Sequence, residues 1–475
     1  MAEPLAILAE AVVGELVGDP TTLVSDVTHD SRAVRAGALF VAVRGASADG
    51  HDHAADAVAA GAVALCVEER LPLDVPQIVV ADTRAALGPL AAARWGHPTR
   101  RLTVVGVTGT NGKTTVTHLV AGIAAAAGWT PAVVGTTGVL VGGDRTTLPR
   151  TTPEATDIQR LAADLVERGV DLLAMEVSSH ALALHRVDGV DFDVVAFTNL
   201  SRDHLDFHPS MEAYFEAKAR LFTWDARRVV NVADPAGARI ADRHPVAVAV
   251  GRDVVAEDVA VAADGASFVL RTPAGRAPVR LSIGGGFNVE NALVAAGIGH
   301  ALGWSPEVLA EGLAAAPTVP GRFEPVHAGQ GFAVIVDYAH TPEGVRAAIG
   351  AARSVTPGRV LVVVGAGGDR DREKRGPMGS AAATADVVVL TSDNPRSEDP
   401  LAIIAALRDG ALGGRAEVRV VADRADAIGV ALREATEGDT VLVLGKGHES
   451  VQEIDGRTIP FDDRAVARAL LEASP

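Results

Sequence analysis

The sequence predicts an α/β protein of three domains. These are an N-terminal α/β domain over 1–99, a central P-loop ATPase-like domain with a parallel sheet over 100–318, and a C-terminal Rossmann-like domain over 319–475. Three observations predict it. Strand-like and helix-like runs alternate along two long stretches. The first stretch opens with a glycine-rich turn between a strand and a helix. Each stretch begins at a polar break containing Gly and Pro, Gly96–Arg101 and Pro317–Gly321.

The first hundred residues mix short elements. Gly37–Val43 reads as a buried strand, Ala54–Ala60 as a helix and Gln77–Val80 as a strand. In the central domain Leu102–Val107 is a strand and Thr114–Ala127 an alanine-rich helix. Strands follow at Val170–Val177, Phe192–Thr198 and Arg228–Val232, with a helix over Ser210–Phe222 that Ser210 caps. The stretch Val254–Leu281 is strand-rich. In the third domain Val334–Val336, Val360–Val364, Val387–Leu390, Val418–Val421 and Thr440–Leu444 are strands separated by helical runs.

Composition narrows the function classes. The chain has 475 residues, 48% of them apolar, enough for several cores. Lys+Arg 43 against Asp+Glu 60 gives a net charge of −17, which argues against nucleic acid as a partner. No apolar run reaches membrane-span length, and the start Met1-Ala2-Glu3-Pro4 lacks the basic region of a signal peptide. Cys66 is the only cysteine, so no internal disulfide or Cys-based zinc site is expected. A cytoplasmic monomer with no membrane partner is the expectation. Only four lysines occur, Lys113, Lys218, Lys374 and Lys446, in a chain that otherwise writes its cations as arginine. Each is a candidate for a task that needs a compact ammonium or a nucleophilic amine.

The strongest motif is Gly109-Thr110-Asn111-Gly112-Lys113-Thr114-Thr115, between a strand and a helix. Glycines let backbone N–H groups close around phosphate, the helix N-terminus adds partial positive charge, lysine reaches the terminal phosphates and a Thr hydroxyl suits Mg²⁺. The spacing departs from G-x4-G-K-[ST], since Val107 stands where the first glycine belongs. Glu176 ends a buried strand and is the first metal-ligand candidate, with His204 in Thr198–Asp206 the second. In the third domain three polar loops follow strands: Gly365–Arg372, Asp393–Arg396 and Gly445–Glu449. The first fails the dinucleotide pattern G-x-G-x-x-G because Arg370 replaces its last glycine. Together the three suit an amphoteric small substrate.

These strings together resemble the Mur ligases, the ATP-dependent amide-forming enzymes of peptidoglycan synthesis. The resemblance spans nearly the whole chain. It rests on Asp30-Ser31-Arg32, the phosphate loop, Glu176–His180, Asn199–His204, Lys218, Asn288–Asn291, Pro320–Glu324 and Asp337–Pro342. It implies the three-domain Mur ligase architecture. Within the family the likeness is to the branch that adds meso-2,6-diaminopimelate to UDP-N-acetylmuramoyl-L-alanyl-D-glutamate, for which Asp393-Asn394-Pro395-Arg396 is the pointer. Diaminopimelate differs from lysine by a distal carboxylate, which Arg396 can grip bidentately. Arg370 is a second candidate, Glu449 suits an ammonium group, and Asp393, Asn394 and Gly445 complete the set. A lysine acceptor would leave Arg396 unpaired, at a cost.

The resemblance further implies that ATP sits on Gly109–Thr115 with Asn288, Arg322 and Asp337. It implies Mg²⁺ on Thr114, Glu176, His204 and a CO₂-derived carbamate of Lys218, and catalytic roles for Lys113, His204 and Lys218. The UDP-sugar dipeptide would be met by Ser31, Thr151, Thr152, Ser178 and Arg186. Leu184 stands where relatives often carry glutamine, so one contact there is missing or replaced. Three other readings remain open at this point: lysine as acceptor, a folylpolyglutamate synthase-like ligase, and a P-loop NTPase switch.

Overall fold

The computed structural model describes residues 2–45 and 48–473. The chain folds as two compact units. One holds the residues up to Thr108, Trp129–Val195 and Ala217–Arg227; the other holds Gly109–Gly128, Ala196–Glu216 and the chain from Arg228 onward.

The first unit begins with a five-stranded sheet in the order Gly14–Val17, Gln77–Val80, Ala62–Val67, Ala38–Val41, Asp26–Thr28. Only the Gly14–Val17 edge runs antiparallel. Helix Thr83–Arg94 is capped by Asp82, whose carboxylate accepts from Arg84 N–H (2.8 Å) and Ala85 N–H (3.0 Å). Its Leu87 and Leu90 pack with Leu39, Cys66 and Ile78. Burial pushes the Cys66 thiol up to about 12, so it acts as a small apolar side chain.

A second sheet in this unit pairs Thr103–Thr108, Leu172–Glu176 and Pro131–Gly135 in parallel. Gly138–Val141 and Asp144–Thr146 extend it antiparallel. The unbroken apolar runs Val104–Val105 and Leu172–Met175 are buried on both faces, as parallel strands require. The patterning above contains no strand within 131–146. The Asp144–Thr146 edge is exposed and polar, and Gly138 turns the chain, so alternation is too short to register.

In the other unit, strand Arg227–Asn231 pairs in parallel with Val248–Val250. The strand-rich stretch resolves into an antiparallel three-stranded sheet, Val255–Val261, Ala266–Thr272 and Gly275–Leu281. Helix Gly286–Ala301 follows. The last sheet runs in the order Glu324–Pro325, Ala333–Asp337, Thr440–Leu444, Val360–Val364, Val387–Leu390, Glu417–Val420. All but its first strand are parallel. Loops after Asp337, Leu444, Val364 and Leu390 therefore leave the same edge of the sheet.

The expected helix over 210–222 is shorter. Met211–Ala219 is α-helical, then Arg220–Thr223 tightens to a 3-10 turn in which Thr223 Oγ1 donates to Arg220 O (2.8 Å). Ser210 does cap it, accepting from Ala213 N–H at 3.1 Å.

Candidate active site

The phosphate loop is built by the segment Thr198–Ser201 behind it. Asn111 N–H donates to Asn199 Oδ1 (3.0 Å) and Thr110 N–H to Asn199 O (2.8 Å). Thr198 Oγ1 donates to Asn111 O (2.6 Å), and Ser201 N–H to Thr110 Oγ1 (3.0 Å). Gly109 (φ +149°) and Gly112 (φ +86°) lie where a Cβ would collide with Thr198 Oγ1 and Asn291 Oδ1. The loop thus needs glycine both for its turn and for its neighbours. Lys113 Nζ donates to two carbonyls of its own loop, Gly109 O and Thr110 O, each at 2.8 Å. Thr114 and Thr115 open the helix Lys113–Ala126.

A cavity of about 380 Å³ lies against this loop, with Asn111, Gly112, Asn291, Arg322, Asp337 and Tyr338 among its walls. Arg322 Nη2 donates to Thr114 Oγ1 at 3.0 Å, and its guanidinium stacks 4.6 Å from the Tyr338 ring centroid. Arg322 Nε is buried with no hydrogen-bond partner among the described residues. A buried donor of this kind needs an acceptor, and an anion beside a glycine cradle supplies one. Asp337 accepts from Phe323 N–H (2.7 Å) and Ala339 N–H (2.8 Å). Burial pushes its carboxyl up, against the pull of the Arg322 charge and those N–H groups. Asn288 stands one layer back, donating to Gly284 O (2.7 Å) and accepting from Asn291 (3.0 Å). Asn291, not Asn288, forms the wall.

His204 takes a left-handed backbone (φ 55°), with Nε2 at 3.5 Å from Asp203 Oδ2. Burial acts to raise Asp203, but the charges of His204, His340 and Lys374 outweigh it and hold the carboxyl low. Thr114 and His204 belong to the second unit, Glu176 and Lys218 to the first. Glu176 is buried, and its carboxylate accepts from Thr136 N–H (2.8 Å) and Thr136 Oγ1 (3.1 Å). Lys218 is 1% exposed, so it is not a solvent-facing lysine. Among the described residues no three His, Cys, Asp or Glu side chains gather as a metal site by themselves. Hydroxyl and carboxylate oxygens do fit a hard cation, which proteins commonly bind with few protein ligands and substrate phosphates.

Of the residues expected at the UDP-sugar dipeptide, Thr151, Thr152, Ser178 and Arg186 lie around Glu176 and Glu154. Thr152 Oγ1 donates to Glu176 O (2.9 Å) and accepts from Ser178 N–H (3.1 Å). Ser178 caps the helix Ser179–Ala183, and Thr151 Oγ1 lies 3.2 Å from Thr136 Oγ1. Arg186 pairs with the buried Glu154 at 2.9 Å, as does Arg84 at 3.0 Å. Burial lowers Arg186 from its usual value despite Glu154. Leu184 is the C-cap of that short helix. Ser31 opens a 3-10 turn, Ser31–Ala33, capped by Asp30.

The three polar loops of the last sheet do meet. Lys446, fully buried, donates from Nζ to Asn394 Oδ1 (3.0 Å), Glu449 Oε2 (3.1 Å) and Val451 O (2.6 Å). Asn394 Nδ2 donates to Glu449 Oε2 at 2.8 Å. Burial, then the Asp393 charge, pushes the Glu449 carboxyl up, while Lys446 opposes them. Gly445 (φ +117°) packs against the Asp393 carboxylate. Arg396 reaches Gly368 O with Nη1 (2.7 Å), while Arg370 is exposed. Arg396 is not left unpaired, contrary to the expectation for a lysine acceptor, because Glu453 holds its Nε at 2.9 Å.

Family models match three segments: "Mur ligase family, catalytic domain" over residues 23–95, "Mur ligase middle domain" over 107–299 and "Mur ligase, glutamate ligase domain" over 321–447. This chain belongs to the Mur ligase family. A UDP-N-acetylmuramoyl-L-alanyl-D-glutamate–2,6-diaminopimelate ligase of Streptomyces coelicolor is 46% identical across 99% of this chain and 97% of its own. The enzyme of the same name from Geobacillus thermodenitrificans is 46% identical, covering 93% and 94%. A solved structure bearing that name superposes with a TM-score of 0.72 at 31% identity, over 100% of this chain and 99% of that one.

Several residues of this Mur ligase's site escaped the sequence reading. Tyr338 lies inside the Asp337–Pro342 motif, but nothing in its spacing says that it stacks on Arg322. Asp234 caps the helix Pro235–Arg243 and also accepts from Leu200 N–H (3.3 Å), a contact across 34 residues that only folding creates. Glu453 sits on the hairpin Val451–Ile454 and Arg457–Pro460, which carries no motif at all.

Proposed function

We propose that this Mur ligase joins meso-2,6-diaminopimelate to UDP-N-acetylmuramoyl-L-alanyl-D-glutamate at the expense of ATP, in the synthesis of peptidoglycan precursors. The acceptor reading is carried by one observation: a cationic Arg396 and an acidic Glu449 stand on loops tied together by Asn394 and Lys446. An amino acid with both an ammonium and a carboxylate at its far end complements that pair. The relatives named above carry the same acceptor in their names.

The chemistry follows from the residues. The D-glutamyl carboxylate attacks the γ-phosphorus of ATP, ADP leaves, and an acyl phosphate forms. The amine of diaminopimelate attacks its carbonyl carbon, phosphate leaves with the bonding electrons, the nitrogen gives up a proton to phosphate or water, and an amide remains. Lys113 exchanges its two loop carbonyls for phosphate oxygens and offsets charge developing on the transferring group. Arg322 supplies its partnerless Nε to the nucleotide. Mg²⁺, when bound, neutralises phosphate charge; Thr114, Glu176, His204 and a carbamate on Lys218 would hold it. Thr151, Thr152, Ser178 and Arg186 orient the dipeptide end of the UDP-sugar, and Ser31 meets its other end. The working division is 1–99, 100–318 and 319–475, in a cytoplasmic monomer. No helix among the described residues is long and apolar enough to cross a membrane.

The test is phosphate release from Mg·ATP and the UDP-sugar dipeptide, adding amino acids singly and weighing the product. Release with meso-diaminopimelate and a product heavier by that residue is expected. Release with lysine alone would overturn the acceptor, and release with no added amino acid would favour an NTPase switch.

A further inference from the structure

Arg396 is held in a geometry that its own neighbours would not adopt unaided. Its backbone is left-handed at φ 52°, a strained region for a side chain of this size. The hairpin after Lys446 keeps it there. Arg396 N–H donates to Glu453 O (2.9 Å), and Asp455 N–H donates to Arg396 O (2.8 Å). Glu453 N–H donates to Asn394 Oδ1 at 3.0 Å. Glu453 thus fixes the backbone of Arg396 and the side chain of Asn394, two of the residues expected to meet the acceptor.

The side chain of that residue then takes the guanidinium. Glu453 Oε2 lies 2.9 Å from Arg396 Nε, and Gly368 O accepts from Arg396 Nη1 at 2.7 Å. A guanidinium offers two forks, one from Nε with an Nη and one from both Nη groups. Glu453 forms an ion pair beside the first, and Gly368 O accepts from a donor of the second. A carboxylate arriving for the Nε fork meets one already there. The two partners differ in freedom. Glu453 is 46% exposed and Arg396 24%. The acid can swing into water without burying a bare charge, while the arginine is the fixed member.

We propose that Glu453 is a specificity-determining residue: its carboxylate holds the Arg396 fork until the distal carboxylate of the acceptor displaces it. The proposal rests on the diaminopimelate reading above. The acceptor then gains the difference between two ion pairs, not the whole of one. Glu453 also keeps Arg396 paired when a lysine enters, so lysine escapes the cost of a lone guanidinium. Glu453 therefore lowers discrimination as well as affinity, and removing it should raise both.

The experiment compares the full-length wild type with Glu453→Gln, Arg396→Ala and the double variant in the phosphate-release assay, at saturating ATP and UDP-sugar dipeptide. Glu453→Gln should lower the KM for diaminopimelate about two- to fivefold, the range of a partly exposed ion pair. The KM for ATP should stay in place, and the preference for diaminopimelate over lysine should rise. In the Arg396→Ala background the same change should no longer move kcat/KM for diaminopimelate. An unchanged or higher KM in Glu453→Gln overturns the proposal, because the acid would then be inert or itself a contact for the substrate. An equal gain in the Arg396→Ala background overturns it too, by assigning the effect to general charge. A wild type that never uses diaminopimelate overturns the acceptor reading itself and the proposal with it.

Discussion

Lys218 shows how far a single residue type can be read. In a chain with four lysines, it is a candidate for a task that needs an amine. The structure adds that it is buried in the last turn of Met211–Ala219. A buried amine that takes up CO₂ becomes a carboxylate-like ligand, which a guanidinium cannot do. Lys218→Ala should lose most phosphate release and regain part of it with added acetate or formate. A variant with unaltered activity would remove the carbamate role. The same lysine argument applies differently to Lys446. There the compact ammonium is required to reach three acceptors in a space with no exposure. That is a positioning task, and sequence alone could not tell it from chemistry.

Two elements of the last domain owe their geometry to charges at their ends. Helices Arg424–Glu434 and Asp463–Glu472 begin with a fully buried pair, Arg424 Nε to Asp463 Oδ1 (2.7 Å) and Nη2 to Oδ2 (2.6 Å). Arg424→Met should destabilise by about 3–5 kcal/mol in urea unfolding, because it strands the Asp463 charge. Replacing both partners by apolar residues should recover part of that loss. Asp439, before strand Thr440–Leu444, accepts from Arg359 N–H (2.7 Å), Thr436 N–H (3.0 Å) and Arg359 Nη2 (2.9 Å). Burial works to raise its carboxyl, but these donors bring it down to about 2. Its unfolded value is about 3.9. The stabilisation is therefore full above pH 4 and disappears as pH falls toward 2. Asp439→Asn should unfold at lower urea than the wild type at pH 7, with the gap closing between about pH 4 and pH 2. A gap independent of pH would assign the effect to packing. The inner strands Val360–Val364, Val387–Leu390 and Thr440–Leu444 were legible because buried parallel strands are unbroken apolar runs. Of the 131–146 strands, Asp144–Thr146 is short, polar and exposed, whereas Pro131–Gly135 is a buried apolar run that the patterning passed over.

At the scale of the molecule, the proposed nucleotide site joins distant segments. Arg322 meets Thr114 across 208 residues, and Asn291 faces Gly112. A ligand that joins such segments stabilises the folded state by mass action, about 2.7 kcal/mol at a hundredfold excess over Kd. Mg·ATP should therefore raise the melting temperature of the wild type measurably. Arg322→Ala should show a smaller rise at the same concentration, and EDTA should reduce it in both. A full rise in Arg322→Ala would separate that residue from the nucleotide.

By itself the sequence determined the α/β class, the phosphate loop, the scarce lysines and the set of loops that follow parallel strands. These are local: each is written in a few adjacent residues, through periodicity or through the φ values that glycine alone tolerates. Tertiary structure decided which polar group faces a cavity and which is already satisfied. It set Asn291 on the wall and Asn288 behind it, sealed Lys446 in a network, and gave Arg396 a partner in Glu453. Burial and pairing depend on segments brought together from dozens to hundreds of residues apart, and a local pattern carries no record of them.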